Sequence, residues 1–384
     1  MCMHIGFDAK RFFHNLTGLG NYSRSTILGL AEHFPEHRYT LFTPRMAGEF
    51  CTLPAQQGFN VQEACPLGSM FPALWRSLGI PRAARRHSLD IYHGLSHELP
   101  LTSFGPGTRT VVTVHDLLFL THPHLYPWLD RHFYAFKYRQ SCRRADMVVA
   151  ISQQTADDVF EIFGVPRERI RVVYQSCSPA FAAARTEDDA DRLRQVYRLP
   201  ERYILFVGSL IARKGAQTLI AALAQLPAAD RPDLAIVGTG PLESALRDQA
   251  RSLGLESQVR FLGRVADADL PGLYRQASVF AYPSVGEGFG IPILEALSSR
   301  TPVITSTGSC FSEPGGDAAL YTTPGDVPEL ARALSRVLGD ETLRRDMIEK
   351  GIQHARNFSL ARTSAALMQV YTELCAKTED HACR

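Results

Sequence analysis

The 384-residue sequence predicts an α/β protein. It should form two Rossmann-like domains, each a doubly wound parallel sheet, facing a central cleft. Three features predict this. Short β-branched apolar runs recur along the chain, as buried parallel strands require. Segments of helical periodicity separate them, which is the alternation of a doubly wound sheet. The rhythm fails once, over residues 178–200, and then restarts, dividing the chain into two domains of ordinary size.

In the first half, strands are expected at Met3–Asp8, Tyr39–Thr43, Asp90–His93, Thr110–His115, Met147–Ile151 and Ile170–Tyr174. Helices are expected at Asn21–Phe34 and Thr155–Phe163. Residues 1–177 thus read as an N-terminal domain. Residues 178–200 are polar and acidic, end in Leu199-Pro200, and read as an interdomain connector. A second set of strands follows at Tyr203–Gly208, Leu234–Gly238, Val259–Leu262, Val279–Tyr282 and Pro302–Thr305. Helical patterns cover Ala216–Leu226, Leu242–Leu253, Leu270–Gln276 and Pro292–Ser299, so 201–355 reads as the C-terminal domain. After Pro324 the pattern is only helical. Ala361–Cys375, within 356–384, looks like an amphipathic terminal helix.

Composition narrows the function. Hydrophobic residues make up 45% and charged residues 21%, which excludes a disordered, collagenous or coiled-coil chain. Lys and Arg number 18 against 14 Asp and Glu in residues 1–180, and 23 against 25 thereafter. Neither half has the basic excess of a nucleic-acid binder. No run is apolar and long enough to span a membrane, and Met1–Asp8 lacks a signal-peptide core. The eight cysteines are scattered without a CxxC pair. The expectation is a cytoplasmic protein with reduced thiols, no disulfide, no metal site and no cofactor.

Chemistry is sought in loops after strands, where open α/β sheets bind ligands. Thr17-Gly18-Leu19-Gly20-Asn21 follows the first strand and opens a helix, a setting suited to phosphate. Ser23 stands where a dinucleotide fingerprint needs its third glycine. Arg213-Lys214-Gly215 precedes a helix. Two cations there oppose the helix dipole, and an anion such as a diphosphate offsets that cost. Glu287 and Glu295 flank Gly288-Phe289-Gly290-Ile291-Pro292. Pro292 suits a first helical turn, which brings both carboxylates to one mouth, where each can accept two hydroxyls of a sugar. His115 ends a strand and can donate to a sugar hydroxyl. Asp267 and Asp269 read as helix N-caps rather than as metal ligands.

Taken together, these motifs resemble the retaining glycosyltransferases of family 4 (glycosyl transferases group 1), which have the GT-B fold. The likeness spans nearly the whole chain, and the Glu287–Glu295 block is its most specific part. It implies that Arg213 and Lys214 neutralise the diphosphate of a nucleotide-sugar donor. It implies that Glu295 binds the ribose and that Glu287 contacts the transferred sugar beside Gly288, Phe289 and Gly290. Gly18 and Gly20 would close on the diphosphate, His115 would touch the donor sugar, and Gly263 and Arg264 would contact the base. Where the family often has Gly-Arg, this chain has Gly208-Ser209, leaving the diphosphate to Arg213 and Lys214. Gln175-Ser176 and Leu360 also depart from the family pattern. The His115-Asp116-Leu117 and Gly18–Tyr22 sequences look most like mannosyltransferases using GDP-mannose.

The partners implied are a nucleotide-sugar donor and a glycan or lipid-linked acceptor. Leu74–His87 and Arg131–Arg144 interleave apolar and basic residues, as in peripheral contact with the inner face of a membrane. The alternatives are another GT-B sugar-nucleotide enzyme, an epimerase or a phosphorylase, and a non-catalytic glycan-binding subunit.

Overall fold

The computed structural model describes residues 2–46, 59–63, 70–105, 107–184 and 187–382. The chain divides into two units. One comprises Met1–Gln175 with Leu360–Arg384, and the other is Ser176–Ser359.

The first unit holds a parallel sheet of β1 (His4–Asp8), β2 (Arg38–Thr43), β3 (Asn60–Glu63), β4 (Ile91–Gly94), β5 (Arg109–Val114), β6 (Met147–Ala150) and β7 (Ile170–Val172). Their order in the sheet is β3-β2-β1-β4-β5-β6-β7. Strands β1, β4 and β6 are buried along their whole length, and β6, Met-Val-Val-Ala, is accordingly apolar throughout. Helices α1 (Gly18–His33), α2 (Trp128–Arg144) and α3 (Gln153–Phe163) connect them. Ser152 caps α3 by accepting from Thr155 N at 3.1 Å, and Gly164 ends it at φ +67°.

The second unit opens with α4 (Glu187–Tyr197). Its sheet comprises β8 (Tyr203–Val207), β9 (Asp233–Val237), β10 (Val259–Gly263), β11 (Val279–Tyr282), β12 (Val303–Ser306) and β13 (Ala319–Thr322). All pairings are parallel, in the order β10-β9-β8-β11-β12-β13. Helices α5 (Ala216–Ala224), α6 (Glu243–Ser252), α7 (Leu270–Gln276), α8 (Ile291–Ser298), α9 (Val327–Gly339) and α10 (Glu341–Ala355) cover it. The final helix, α11 (Leu360–Ala382), lies against α1 in the first unit. Gly29 permits that approach, because a Cβ there would sit 2.7 Å from both Leu360 Cδ1 and Ser364 Oγ.

Two sequence expectations change. Residues 178–200 are not a connector: α4 packs on the second unit, where Arg192 and Tyr197 hold Asp269 at 2.5 and 2.8 Å. The acidic composition of this stretch hid a helix whose Leu193 is fully buried. Asp269 occupies the N-cap position of α7, but its carboxylate serves those two partners and makes no cap bond. Cys2, Cys142, Cys177, Cys310 and Cys375 form no disulfide, while Cys51, Cys65 and Cys383 lie outside the described residues.

Candidate active site

The second unit's sheet reverses direction of growth between β8 and β11. Such a switch point splays the two following loops apart and leaves a crevice at the strands' carboxyl ends. The loop after β8 carries Arg213 and Lys214 in a single 3-10 turn, and the loop after β11 carries Glu287. The loops are tied by backbone bonds: Val285 N donates to Arg213 O at 2.8 Å. Gly215 ends the 3-10 turn at φ +76°, and a Cβ there would lie 2.1 Å from Pro283 O. Only glycine lets the two loops approach this closely.

Glu287 is the hub. Its Oε1 receives Arg213 Nη1 at 2.7 Å, Lys214 Nζ at 2.7 Å, Ser284 Oγ at 2.7 Å and Tyr282 Oη at 3.0 Å. Lys214 Nζ also donates to Tyr282 Oη at 2.5 Å, and Arg213 donates to the Gly286 carbonyl. All four donors converge on Oε1. Ser309 Oγ accepts from Glu287 N at 3.2 Å, and the Cys310 thiol donates to the carbonyls of Glu287 and Phe289. Burial alone would raise the Glu287 pKa, but the charges of Lys214 and Arg213 hold it at about 2. Burial, then the Glu287 charge, pushes the Tyr282 hydroxyl well up, so it stays a donor.

Gly290, at φ +105°, opens α8, and Pro292 follows in its first turn. Phe289 turns inward against Phe358, with ring centroids 5.7 Å apart. Glu295 lies one turn further on, where Tyr274 Oη donates to Oε2 at 2.9 Å. Burial, opposed by that hydrogen bond and aided by Asp267, raises the Glu295 pKa to about 7. Gly263, at φ +66°, ends β10, with exposed Arg264 beside it. Arg213, Lys214, Glu287, Gly288, Phe289, Gly290, Glu295, Gly263 and Arg264 therefore all belong to the second unit.

Gly18, Gly20 and His115 belong to the first. Gly20 is required by local packing, since a Cβ would lie 1.8 Å from Asn15 O, whereas Gly18 faces open space. His115 differs from expectation. It is buried, and its Nε2 lies 2.8 Å from Leu95 O. A carbonyl only accepts, so Nε2 must carry the proton. Burial, with His97 next, lowers the pKa to about 3 and keeps the ring neutral. Its Nδ1 is then an acceptor, so it cannot donate to a sugar hydroxyl as the sequence suggested. Tyr22 packs edge-on at 4.6 Å, and its hydroxyl meets Thr113 Oγ1 at 3.0 Å.

Sequence reading missed Tyr282, Ser284, Tyr274 and Ser309. The Tyr282-Pro283-Ser284 run was visible at a strand end, but nothing in its pattern marks a hydroxyl as a glutamate's partner. Tyr274 lies in a separate helix, out of reach of any local motif. No group of His, Cys, Asp and Glu among the described residues could hold a metal ion.

Comparison with known proteins finds relatives along nearly the whole chain. The profile for Glycosyl transferases group 1 matches residues 189–354, and that for Glycosyltransferase Family 4 matches residues 16–180. The chain is 30% identical to the O-antigen chain mannosyltransferase B of Escherichia coli over a 386-residue alignment, covering 96% of this chain and 99% of that protein. It is 30% identical over 297 residues to the serotype-specific mannosyltransferase WbdA of Escherichia coli, spanning 75% of this chain and 36% of that longer protein. The crystal structure of Anabaena Alr3699/HepE in complex with UDP-glucose superposes with a TM-score of 0.77. At 22% identity, over 97% of this chain and all of that one, the likeness speaks for the fold.

Proposed function

This chain belongs to glycosyltransferase family 4, the glycosyl transferases group 1, with the GT-B fold, and we propose that it transfers mannose from GDP-mannose to a hydroxyl of a glycan or lipid-linked acceptor, with retention, in cell-surface polysaccharide synthesis. The observation that carries this reading is the convergence of Arg213 and Lys214 on one oxygen of Glu287 at the switch point. Two cations sharing one carboxylate leave a net positive charge beside the start of α5. A departing nucleoside diphosphate fills that need, and fixed charges aimed at it are the largest lever on the rate. In this reading Glu287 accepts a hydroxyl of the sugar, and Glu295 accepts from the ribose. The two mannosyltransferase relatives favour mannose as the sugar.

Retention needs either a covalent intermediate or attack from the leaving-group face. A carboxylate held at about 2 by two cations is a weak nucleophile, which favours direct attack with the acceptor proton passing to the departing phosphate. No helix among the described residues is long and apolar enough to cross a membrane. The reading places the protein in the cytoplasm, peripheral on the inner membrane face.

The test is transfer from GDP-mannose, UDP-glucose and ADP-glucose, alongside thermal shift with GDP, UDP and ADP. A selective GDP shift of several degrees is expected near 100 times Kd, where ligand adds about 2.7 kcal/mol. Greater turnover with UDP-glucose would discard mannose, and no shift with any nucleotide would discard the donor site.

A further inference from the structure

We propose that a groove on the first unit seats one acyl chain of an anionic phospholipid, with the surrounding aromatic and basic residues lying on the bilayer surface. The proposal rests on the peripheral placement argued above and extends it to a defined lipid site.

The groove has a volume of about 450 Å³, within the range of small-molecule sites. Leu74, Leu78 and Leu101 line it together with Phe133 and Phe136 of α2. These five side chains are 47–67% exposed. The exposure is concentrated: of fifteen large hydrophobic residues exposed among the described residues, ten fall at 70–78, Leu101 and 128–136. Contiguous apolar surface of this kind marks an interaction site. Isolated exposed residues elsewhere need no such reading.

Charge selects the occupant. Phe71–His87 contains four arginines and no acid, and α2 contains five cations and only Asp130. The whole chain carries only +2. A second copy of the chain would bring the same excess to the same face and repel it, so the partner is anionic. The floor of the groove is already neutralised: Arg76 meets Asp8 at 2.5 Å and Glu98 at 3.3 Å, and Lys137 meets Glu98 at 2.8 Å. The floor therefore calls for no buried phosphate. The headgroup belongs at the rim, where Arg143 and Arg144 are exposed. A hydrocarbon chain fits a lining of three leucines and two phenylalanines.

The two tryptophans of the chain, Trp75 and Trp128, lie one in each basic segment, which supplies the probe. The full chain is floated with phosphatidylcholine vesicles made with or without phosphatidylglycerol. Flotation is expected only with phosphatidylglycerol, and it should weaken as salt rises. Phosphatidylglycerol brominated on its acyl chains should quench tryptophan fluorescence, and Trp75→Phe isolates the Trp128 signal. Phe133→Ser with Phe136→Ser should weaken binding about tenfold or more for each phenylalanine. Both side chains are exposed, so circular dichroism should be unchanged. Arg143→Glu with Arg144→Glu should abolish flotation by a separate route.

Absence of flotation at low salt overturns the proposal. So does flotation without quenching that survives the phenylalanine changes, because that is adsorption with the groove empty. A concentration-dependent dimer that the same changes dissolve would assign the groove to a second copy. Vesicle binding makes no use of the transfer reaction. Failed flotation beside an intact nucleotide shift removes only the lipid site, and a lost nucleotide shift with intact flotation removes only the donor reading.

Discussion

Four donors on a single carboxylate oxygen make Glu287 the most consequential residue of the site. Lys214→Ala should remove one of its two cations and lower kcat by about 10²–10³-fold in a folded protein. Near-normal turnover would refute the diphosphate role. Tyr282 acts through its neighbours, by bracing the Lys214–Glu287 pair with a hydrogen bond to each partner. Tyr282→Phe leaves the direct Lys214–Glu287 ion pair in place but removes the hydroxyl that accepts from the one and donates to the other. The expected result is a kcat loss of about tenfold with little change in KM, at a stability cost of about 1–3 kcal/mol for the stranded polar groups. The two glutamates also diverge in pH behaviour. Glu287 is depressed to about 2, so its stabilisation is complete above its unfolded value of 4.5 and is lost as pH falls from there toward 2. Glu295 is raised to about 7, so it binds a proton more readily folded than unfolded, and stability declines as pH rises from 4.5 to 7. Nucleotide binding should run the other way. A ribose donates to the ionised carboxylate, so affinity should rise through about pH 7, and calorimetry on Glu295→Gln should find that rise gone.

At the element scale the site depends on loops that only certain residues can close. Gly215 has a left-handed φ of +76° and faces Pro283 O at 2.1 Å, whereas Gly263 has φ +66° and nothing within 4 Å of a built Cβ. Both pay the conformational penalty of about 1–2 kcal/mol for a side chain at positive φ, but only Gly215 adds a clash. Denaturant unfolding should find Gly215→Ala clearly less stable than Gly263→Ala, and only the former should lose activity by parting Arg213 from Glu287. Equal losses would sink this reading of the loop. The same scale separates what sequence discloses from what it hides. Strands buried on both faces, such as β6 and β11, announce themselves as apolar runs. The edge strands β3 and β13 do not, because Asn-Val-Gln-Glu is polar and half-exposed and Ala-Leu-Tyr-Thr is only half-buried at its centre. The seven-residue spacing of Glu287 and Glu295 is local and legible. Their tyrosine partners are set by sheet order and helix packing, and the tautomer of His115 is set by a carbonyl twenty residues away.

At the scale of the whole molecule, the first unit is completed only by the last helix. Residues 176–359 are inserted between Gln175 and Leu360, yet α11 buries Leu367, Met368, Val370, Tyr371 and Leu374 in the first unit. The attachment is also polar: Tyr371 Oη lies 2.6 Å from His93 Nδ1, and His93 Nε2 lies 2.8 Å from Thr113 Oγ1. Burial, then His115, lowers the His93 pKa to about 3, so the ring is neutral and one of its nitrogens must accept. Removing α11 would strip several large side chains from the α1 face and leave His93 half-satisfied. Each buried large-to-small loss typically costs 2–5 kcal/mol, so the total exceeds what a domain of this size can lose. The second unit keeps its entire sheet and every residue of the Arg213–Glu287 network. A chain ending at Ser359 should therefore lose the cooperative melting of the first unit while retaining a nucleotide-dependent melting transition in the second. Calorimetry with and without GDP resolves the two. Tyr371→Phe in the full chain should lower only the first transition, by a few degrees. If truncation instead abolished the nucleotide response, the second unit would depend on the first for its folding, and the division at Gln175 and Leu360 would not be a division of stability.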